Sequence, residues 1–267
     1  MGYGALEIRS TTGQRRRTPR FVTVVVSIAL VAGGVFVVAP PASAAPVWSI
    51  TPSANLSQSE LAGVSCPSPT SCFAVGNYTD GREKTLVEHW NGTSWTRMTS
   101  PNPGGHSAAG LVGVSCPTPT SCFGVGTYLS HGNGLLYLYG VSCPGPKSCF
   151  AVGARASSPS LVEHWNGHGG WTFMTGAPPG LGGLAGVACA GPTDCVAVGG
   201  QAGGTPKSTA LVEHWNGHGS WAAVTTPAPL QSGLVGVACP RAASCFAVGS
   251  RPGRSDSYRR TFVEQSA

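Results

Sequence analysis

The chain has 267 residues, a net charge of +6 and only 10% charged residues. Five arginines and one glutamate precede residue 45, so residues 45–267 carry +2, without the basic stripe that nucleic-acid binding requires. Its 39 glycines and 22 prolines recur periodically, which points to many turns rather than disorder, and the length suits one sizeable all-β domain.

The first element in chain order is an export signal. Arg15, Arg16, Arg17 and Arg20 precede an uncharged apolar run from Phe21 to Ala39. Ala42-Ser43-Ala44 supplies the small-x-small pattern of a cleavage site, so residues 1–44 read as a signal peptide removed before Ala45. The alternative is a retained N-terminal membrane anchor, since the run is long enough to span a bilayer. A secreted or cell-surface protein follows in either case, free of the membrane once the signal is cleaved.

Residues 45–267 form one repeat domain. The segment Val47-Trp48-Ser49-Ile50-Thr51-Pro52 comes first. Five copies of a common frame then start near Leu61, Leu111, Leu138, Leu184 and Leu234. A full copy contains four strand-like runs, beginning with L-x-G-V-[SA]-C and C-F-A-V-G. Next come L-V-E-H-W and a run opened by Trp95, Trp171 or Trp221. Val, Phe, Trp and Thr enrichment between turn residues favours strand. Pro67 to Ser71 reads as the first turn. Asn91-Gly92, Asn166-Gly167 and Asn216-Gly217 mark hairpins between the last two strands.

Four short antiparallel strands per repeat is the pattern of a β-propeller blade. The expected fold is therefore all-β, a β-propeller of about five blades, with a distorted four-bladed ring as the alternative. Repeat two lacks the E-H-W-N-G hairpin and reads as a two-strand stub, either a cleft or a degenerate blade. The last repeat stops after its third strand at Thr261-Phe262-Val263-Glu264. Val47 to Thr51 matches a fourth strand, so the N-terminal strand is expected to complete the last blade and close the ring. The segment LVEHWNGTSWTRM resembles the Asp-box hairpin of BNR and sialidase-type repeats, with Asn91 and Gly92 preceding Trp95 and the acidic residue of that box absent. The whole unit resembles secreted actinobacterial β-propeller-like repeat proteins. Those resemblances imply repeat architecture and no particular activity.

The cysteines pair as Cys66/Cys72, Cys116/Cys122, Cys143/Cys149, Cys189/Cys195 and Cys239/Cys245, each C-x5-C. Flanking a short hairpin turn, they can meet across two strands as disulfides, as an oxidising compartment allows. Zinc and thioredoxin-like sites use shorter spacings. Glu88-His89-Trp90 recurs as Glu163-His164-Trp165 and Glu213-His214-Trp215, and alternation puts each Glu and Trp on one sheet face and the His on the other. Such repeat-locked residues read first as packing and backbone satisfaction. His168 and His218 add an H-x3-H spacing interrupted by the Asn-Gly turn, and neither metal nor cofactor is expected.

Trp90, Trp165 and Trp215 form a second reading as aromatic platforms for a ligand. Tyr128, His131, Tyr137 and Tyr139, which belong to the short repeat, are candidates for a single binding site. Catalysis is set aside. The glutamates are locked into the repeat, and Glu60, Asp80, Glu83, Asp194 and Asp256 fall in turn-like segments. No nucleophile elbow, zinc-protease or phosphate-loop motif occurs. The expectation is a monomeric, non-catalytic binding protein for a glycan, cell-wall polymer or extracellular protein. The alternatives are a glycoside-cleaving propeller enzyme and a degenerate repeat fragment.

Overall fold

A computed structural model describes residues 6–8, 49–53, 56–102, 108–128, 136–155, 160–176, 182–201, 209–253 and 259–266. The chain divides into two compact units, residues 11–51 and the remainder. His131, Asp256, Val47, Trp48 and the apolar run of residues 21–39 lie outside the described residues. Among the described residues, no helix is long and apolar enough to cross a membrane.

The first strand is β1 (Leu6–Ile8). Sheet one contains β2 (Ser59–Ser68), β3 (Ser71–Thr79), β4 (Glu83–Trp90) and β5 (Trp95–Met98). Sheet two is built on β6 (Ala109–Thr118) and β7 (Ser121–Tyr128). Sheet three has β8 (Leu136–Gly145), β9 (Ser148–Arg155), β10 (Leu161–Trp165) and β11 (Thr172–Met174). Sheet four has β12 (Gly182–Gly191), β13 (Asp194–Gln201), β14 (Ala210–Trp215) and β15 (Ala222–Ala223). Sheet five has β16 (Gly233–Arg241), β17 (Ser244–Pro252) and β18 (Arg259–Gln265). All neighbours pair antiparallel, and each sheet is a propeller-type blade built on one repeat, with β1 added to sheet two.

The repeated glycines have two structural reasons. In L-x-G-V the first strand of every sheet carries a register shift at x, for example between Leu61 and Gly63 and between Leu184 and Gly186. A β-carbon on Gly140 would lie 3.1 Å from the Gly186 Cα, and one on Gly186 would lie 3.3 Å from the Gly236 Cα. The glycines thus let the inner strands β8, β12 and β16 approach each other backbone to backbone. In C-F-A-V-G the last glycine sits under the bulge, where a β-carbon on Gly153 would come within 1.7 Å of the Tyr137 carbonyl oxygen.

Alternation along the strands builds the core between successive sheets. The Phe-x-Val face of each sheet packs on the Leu-x-x-Val face of the next. Phe150, Val152 and Val162 of sheet three meet Leu184, Val187 and Leu211 of sheet four. Val198 of sheet four meets Leu234 and Ala247 of sheet five in the same way. Each fully buried side chain of this kind contributes about 1.5–3 kcal/mol of apolar transfer free energy. A polar latch accompanies three of the junctions: Cys116, Cys143 and Cys189 donate their backbone N–H to the hydroxyls of Ser65, Ser115 and Ser142, at 3.0, 3.0 and 3.1 Å. Ala188 stands in the corresponding position before sheet five and has no hydroxyl to offer.

All five expected disulfides form, each across the first hairpin: Cys66–Cys72, Cys116–Cys122, Cys143–Cys149, Cys189–Cys195 and Cys239–Cys245. No cysteine is free. The second cysteine of each pair lies on the middle strand of its blade and is buried, Cys122, Cys149 and Cys195 completely, and Cys72 and Cys245 nearly so. The Asn-Gly hairpins also form as read. Gly92, Gly167 and Gly217 take positive φ values of 95°, 89° and 92°. Asn91 Oδ1 accepts from the Thr93 and Ser94 backbone N–H groups at 3.0 Å each, closing the turn.

Repeat two supplies only two strands, β6 and β7, as expected, and β1 pairs with the free edge of β7 in the third-strand position that β10 and β14 fill in their sheets. A vacant sheet edge is satisfied by whichever segment can reach it, and β1 lies upstream of the expected cleavage point. Val47 and Trp48, which open the segment expected to complete the last blade, lie outside the described residues, and among the described residues sheet five has three strands.

Candidate functional site

The cysteines named among the candidate residues belong to the architecture and not to a ligand site. Cys72, Cys122 and Cys149 are buried, and each is paired on both sides. A disulfide holds them on one side. On the other, Cys72 stands in register with Trp90, Cys122 with Ile8 and Cys149 with Trp165. Cys122 also packs with Phe73 and Val75 in the core between sheets one and two. These positions are walled in by the next strand and the next blade, and the disulfides expected from the C-x5-C spacing staple the core there.

The repeated E-H-W residues divide between two faces as alternation requires. Glu163 pairs in register with Ala151 and His164 with Phe150, so Glu163 and Trp165 face sheet two while His164 faces sheet four. The Trp pairs fill the space between blades. Trp165 and Trp171 close on Phe123 of the preceding sheet at ring-centroid distances of 4.6 and 5.8 Å. Trp215 and Trp221 close on Phe150 at 4.8 and 5.9 Å. Trp90 and Trp95 stand 5.8 Å apart in sheet one, with no preceding blade to receive them.

The histidines are held by the first residue of the second strand. Ser71 Oγ lies 3.1 Å from His89 Nε2, and Ser148 Oγ lies 3.3 Å from His164 Nε2. Asp194 replaces that serine in sheet four and pairs with His214 Nε2 at 2.8 Å. Burial pushes His89 and His164 below the usual histidine range. The glutamates are buried in their own blades: Glu88, Glu163 and Glu213 are at most 3% exposed. Glu213 accepts a hydrogen bond from Ser160 of the preceding sheet. Burial raises the Glu163 carboxyl to about 7. Among the described residues, no group of three or more His, Cys, Asp or Glu could hold a metal ion.

The candidate tyrosines do not share one blade. Tyr128 ends the second strand of sheet two, whereas Tyr137 and Tyr139 lie on the first strand of sheet three. The latter two rings stack at 6.0 Å with an interplanar angle of 2°, and Tyr139 is exposed. Burial, and then the neighbouring Tyr137, raise the Tyr139 phenol.

A cavity of about 660 Å³ opens between sheets four and five. That is within the size range of ligand pockets. Its position corresponds to the space that Phe123 with Trp165 and Trp171, or Phe150 with Trp215 and Trp221, fills elsewhere. Both halves of that aromatic plug are missing here. Val196 stands where the other repeats have Phe, and Ser266 stands where Trp165 and Trp215 stand in theirs. Among the described residues, no fourth strand brings a second Trp. The walls are therefore mainly apolar, from Val196, Val212, Val224, Val237 and Ala247, with Thr225, Glu264 and the His214–Asp194 pair supplying polarity.

Three further features mark this cavity. In sheet four, the Trp221 backbone N–H donates to the Thr175 carbonyl of sheet three at 3.1 Å, and the matching residue in the next interval, Thr225, lines the cavity. Glu264 Oε1 is buried without a hydrogen-bond partner, and burial raises its carboxyl while Thr226 offsets part of the shift. Among the described residues, the outer edge of β18 is unpaired, at the position that β5, β11 and β15 cover in three other sheets. Sequence reading missed Val196 and Ser266. The available signal was the joint loss of Phe from one repeat and of the His-Trp pair from the next.

No protein-family model matches the chain, and no curated protein does. A solved structure described as "YCF48 bound to D1 peptide" is similar to it at a TM-score of 0.46 and 11% identity. The similarity covers 77% of this chain and 69% of that one. At that distance the likeness accompanies the repeat fold and carries no functional argument.

Proposed function

We propose that this protein is an exported, non-catalytic binding propeller whose ligand is an extended, aromatic-bearing segment of an extracellular protein. The observation that carries the reading is the cavity between sheets four and five, bordered by the outer edge of β18. A strand added to β18 would gain backbone hydrogen bonds, and its aromatic side chain would fill the space left by Val196 and Ser266. The repeat-locked Trp rings favour this over the glycan reading, because Trp215 and Trp221 are buried against Phe150 rather than presented as open sugar platforms. The cavity walls likewise offer valine and alanine, where a sugar needs a dense set of hydrogen-bonding groups.

The natural template is the fourth strand of another blade. In sheet four, Ala223 pairs with Glu213, two residues after Trp221. A bound strand in the same register places its aromatic residue two positions before the residue opposite Glu264. The probe is therefore a synthetic peptide with the sequence of residues 94–100, Ser-Trp-Thr-Arg-Met-Thr-Ser. Calorimetry should give saturable one-to-one binding, weakened at least about tenfold when the peptide Trp becomes Ala, since stacked aromatics contribute on the order of 1 kcal/mol beyond their area. Val196→Phe should fill the cavity and abolish binding. Binding that ignores both changes, or no binding by the folded protein, would sink this reading. Export is part of the proposal, and a secreted form beginning at Ala45 by N-terminal sequencing would support it.

A further inference from the structure

Among the described residues, the row of blades ends in two apolar faces without a neighbouring blade. Along the row, β2 packs on β6, β6 on β8, β8 on β12 and β12 on β16, while among the described residues β2 and β16 make no comparable packing. At the first end, Leu61 and Val64 are 42% and 63% exposed. Their counterparts in the other sheets, Leu111, Leu138, Leu184 and Leu234 among them, are buried against the preceding blade. Trp90 and Trp95 lie in the same blade, paired with each other and facing no Phe.

At the other end, Phe246, Val248 and Val263 are 42%, 46% and 64% exposed. They share one sheet face, because Val248 pairs in register with Val263. Their counterparts Phe73, Val75 and Val87 in sheet one are fully buried under sheet two, and Phe150, Val152 and Val162 in sheet three under sheet four. A β-carbon on Gly236 would meet only Val248 of its own blade, whereas one on Gly63, Gly113, Gly140 or Gly186 would meet the next blade's backbone.

We infer that copies of this chain associate head to tail, the Leu61/Val64/Trp90/Trp95 face of one docking on the Phe246/Val248/Val263 face of another. Each face has the shape and chemistry of a contact the chain already makes within itself. Trp90 and Trp95 of one copy close on Phe246 of the next as Trp165 and Trp171 close on Phe123. Leu61 and Val64 fill the space over Val248 as Leu184 and Val187 do over Val152. The occupant is a second copy because its other end presents the complementary half. The contact resembles the fourth junction rather than the first three, since Ala238, like Ala188, offers no hydroxyl to the Cys N–H that follows. The interface is heterologous, so it grows into rings or open chains rather than stopping at a symmetric dimer. This departs from the monomer expected from the sequence; of the docking face, Phe246 and Val248 lie outside the cavity lining, while Val263 also borders the cavity.

Sedimentation of the purified, oxidised full chain tests it. The wild type should show association that rises with concentration. Val64→Glu blocks one face and Val263→Lys blocks the other, both at exposed positions that leave the folded core intact, as circular dichroism would check. Each variant alone should remain monomeric. An equimolar mixture should form one-to-one heterodimers and nothing larger, because each variant keeps the face the other has lost. A wild type that stays monomeric at the highest attainable concentration overturns the inference. So does an associating wild type whose variants still self-associate, or whose mixture stays monomeric.

Discussion

Replacing Glu163 with Gln should remove one identifiable source of pH-dependent stability. Glu163 lies on β10, 3% exposed, in register with Ala151 and with Oε2 lacking a hydrogen-bond partner. Burial disfavours the carboxylate, which raises the folded-state pKa from 4.5 to about 7. Below pH 4.5 the side chain is neutral in both folded and unfolded chains, and its stabilising contribution relative to the ionised group is fully present. As pH rises towards 7 the unfolded chain releases its proton first, so the folded state binds more protons and loses stability. At 1.36 kcal/mol per pKa unit, the loss amounts to about 3 kcal/mol once pH exceeds 7. Gln has nearly the same shape and does not titrate. Urea unfolding of wild type and Glu163→Gln, with disulfides intact, at several pH values from 4 to 8 would measure the difference. The variant should gain about 3 kcal/mol on the wild type across that window. His89 and His164, whose pKa values burial lowers, titrate equally in both proteins and cancel. Two parallel stability curves would refute the reasoning, because Glu163 would then ionise in the fold as it does in water.

Gly153→Ala should destabilise the protein by at least about 3 kcal/mol in the same assay, because the new β-carbon meets the Tyr137 carbonyl and the pairing of β8 with β9 must open. Ser115→Ala should cost about 1–2 kcal/mol by leaving the Cys143 N–H without its acceptor, and Ala188→Ser should recover about 1 kcal/mol by adding a latch to Cys239. Circular dichroism melts would compare the two. The double variant Cys189→Ala, Cys195→Ala opens a link with a sequence separation of 6, and loop entropy sets its cost at about 2 kcal/mol in urea. Val196→Phe, beyond blocking peptide, should raise the melting temperature by filling apolar space beside sheet five, read by scanning calorimetry.

The local grammar of the blade was legible in the residues alone. The C-x5-C pairs, the Asn-Gly turns and the two faces of Glu-His-Trp are set within a few residues, where turn chemistry and the two-residue period of a strand leave little choice. That Cys72, Cys122 and Cys149 would also sit in the core was not, because their burial comes from the neighbouring strand and blade. The L-x-G-V and F-A-V-G glycines announced close backbone approach, although only the coordinates located the bulge over Tyr137 and the contact between Gly140 and Gly186. The candidate site was not legible, because it is made by two losses in different repeats, Phe to Val196 and Trp to Ser266, which face each other only after sheets four and five stack. Pairing over long distances escaped for a related reason. Hydrophobic alternation qualifies a segment as a strand, but the available edge and the register decide its partner. Leu6–Ile8, unremarked in the sequence, therefore completes the edge of β7. The sequence by itself determined the blade and its staples. The tertiary structure decided how many strands each blade received, which interval stayed empty, and which apolar faces were left without a neighbour.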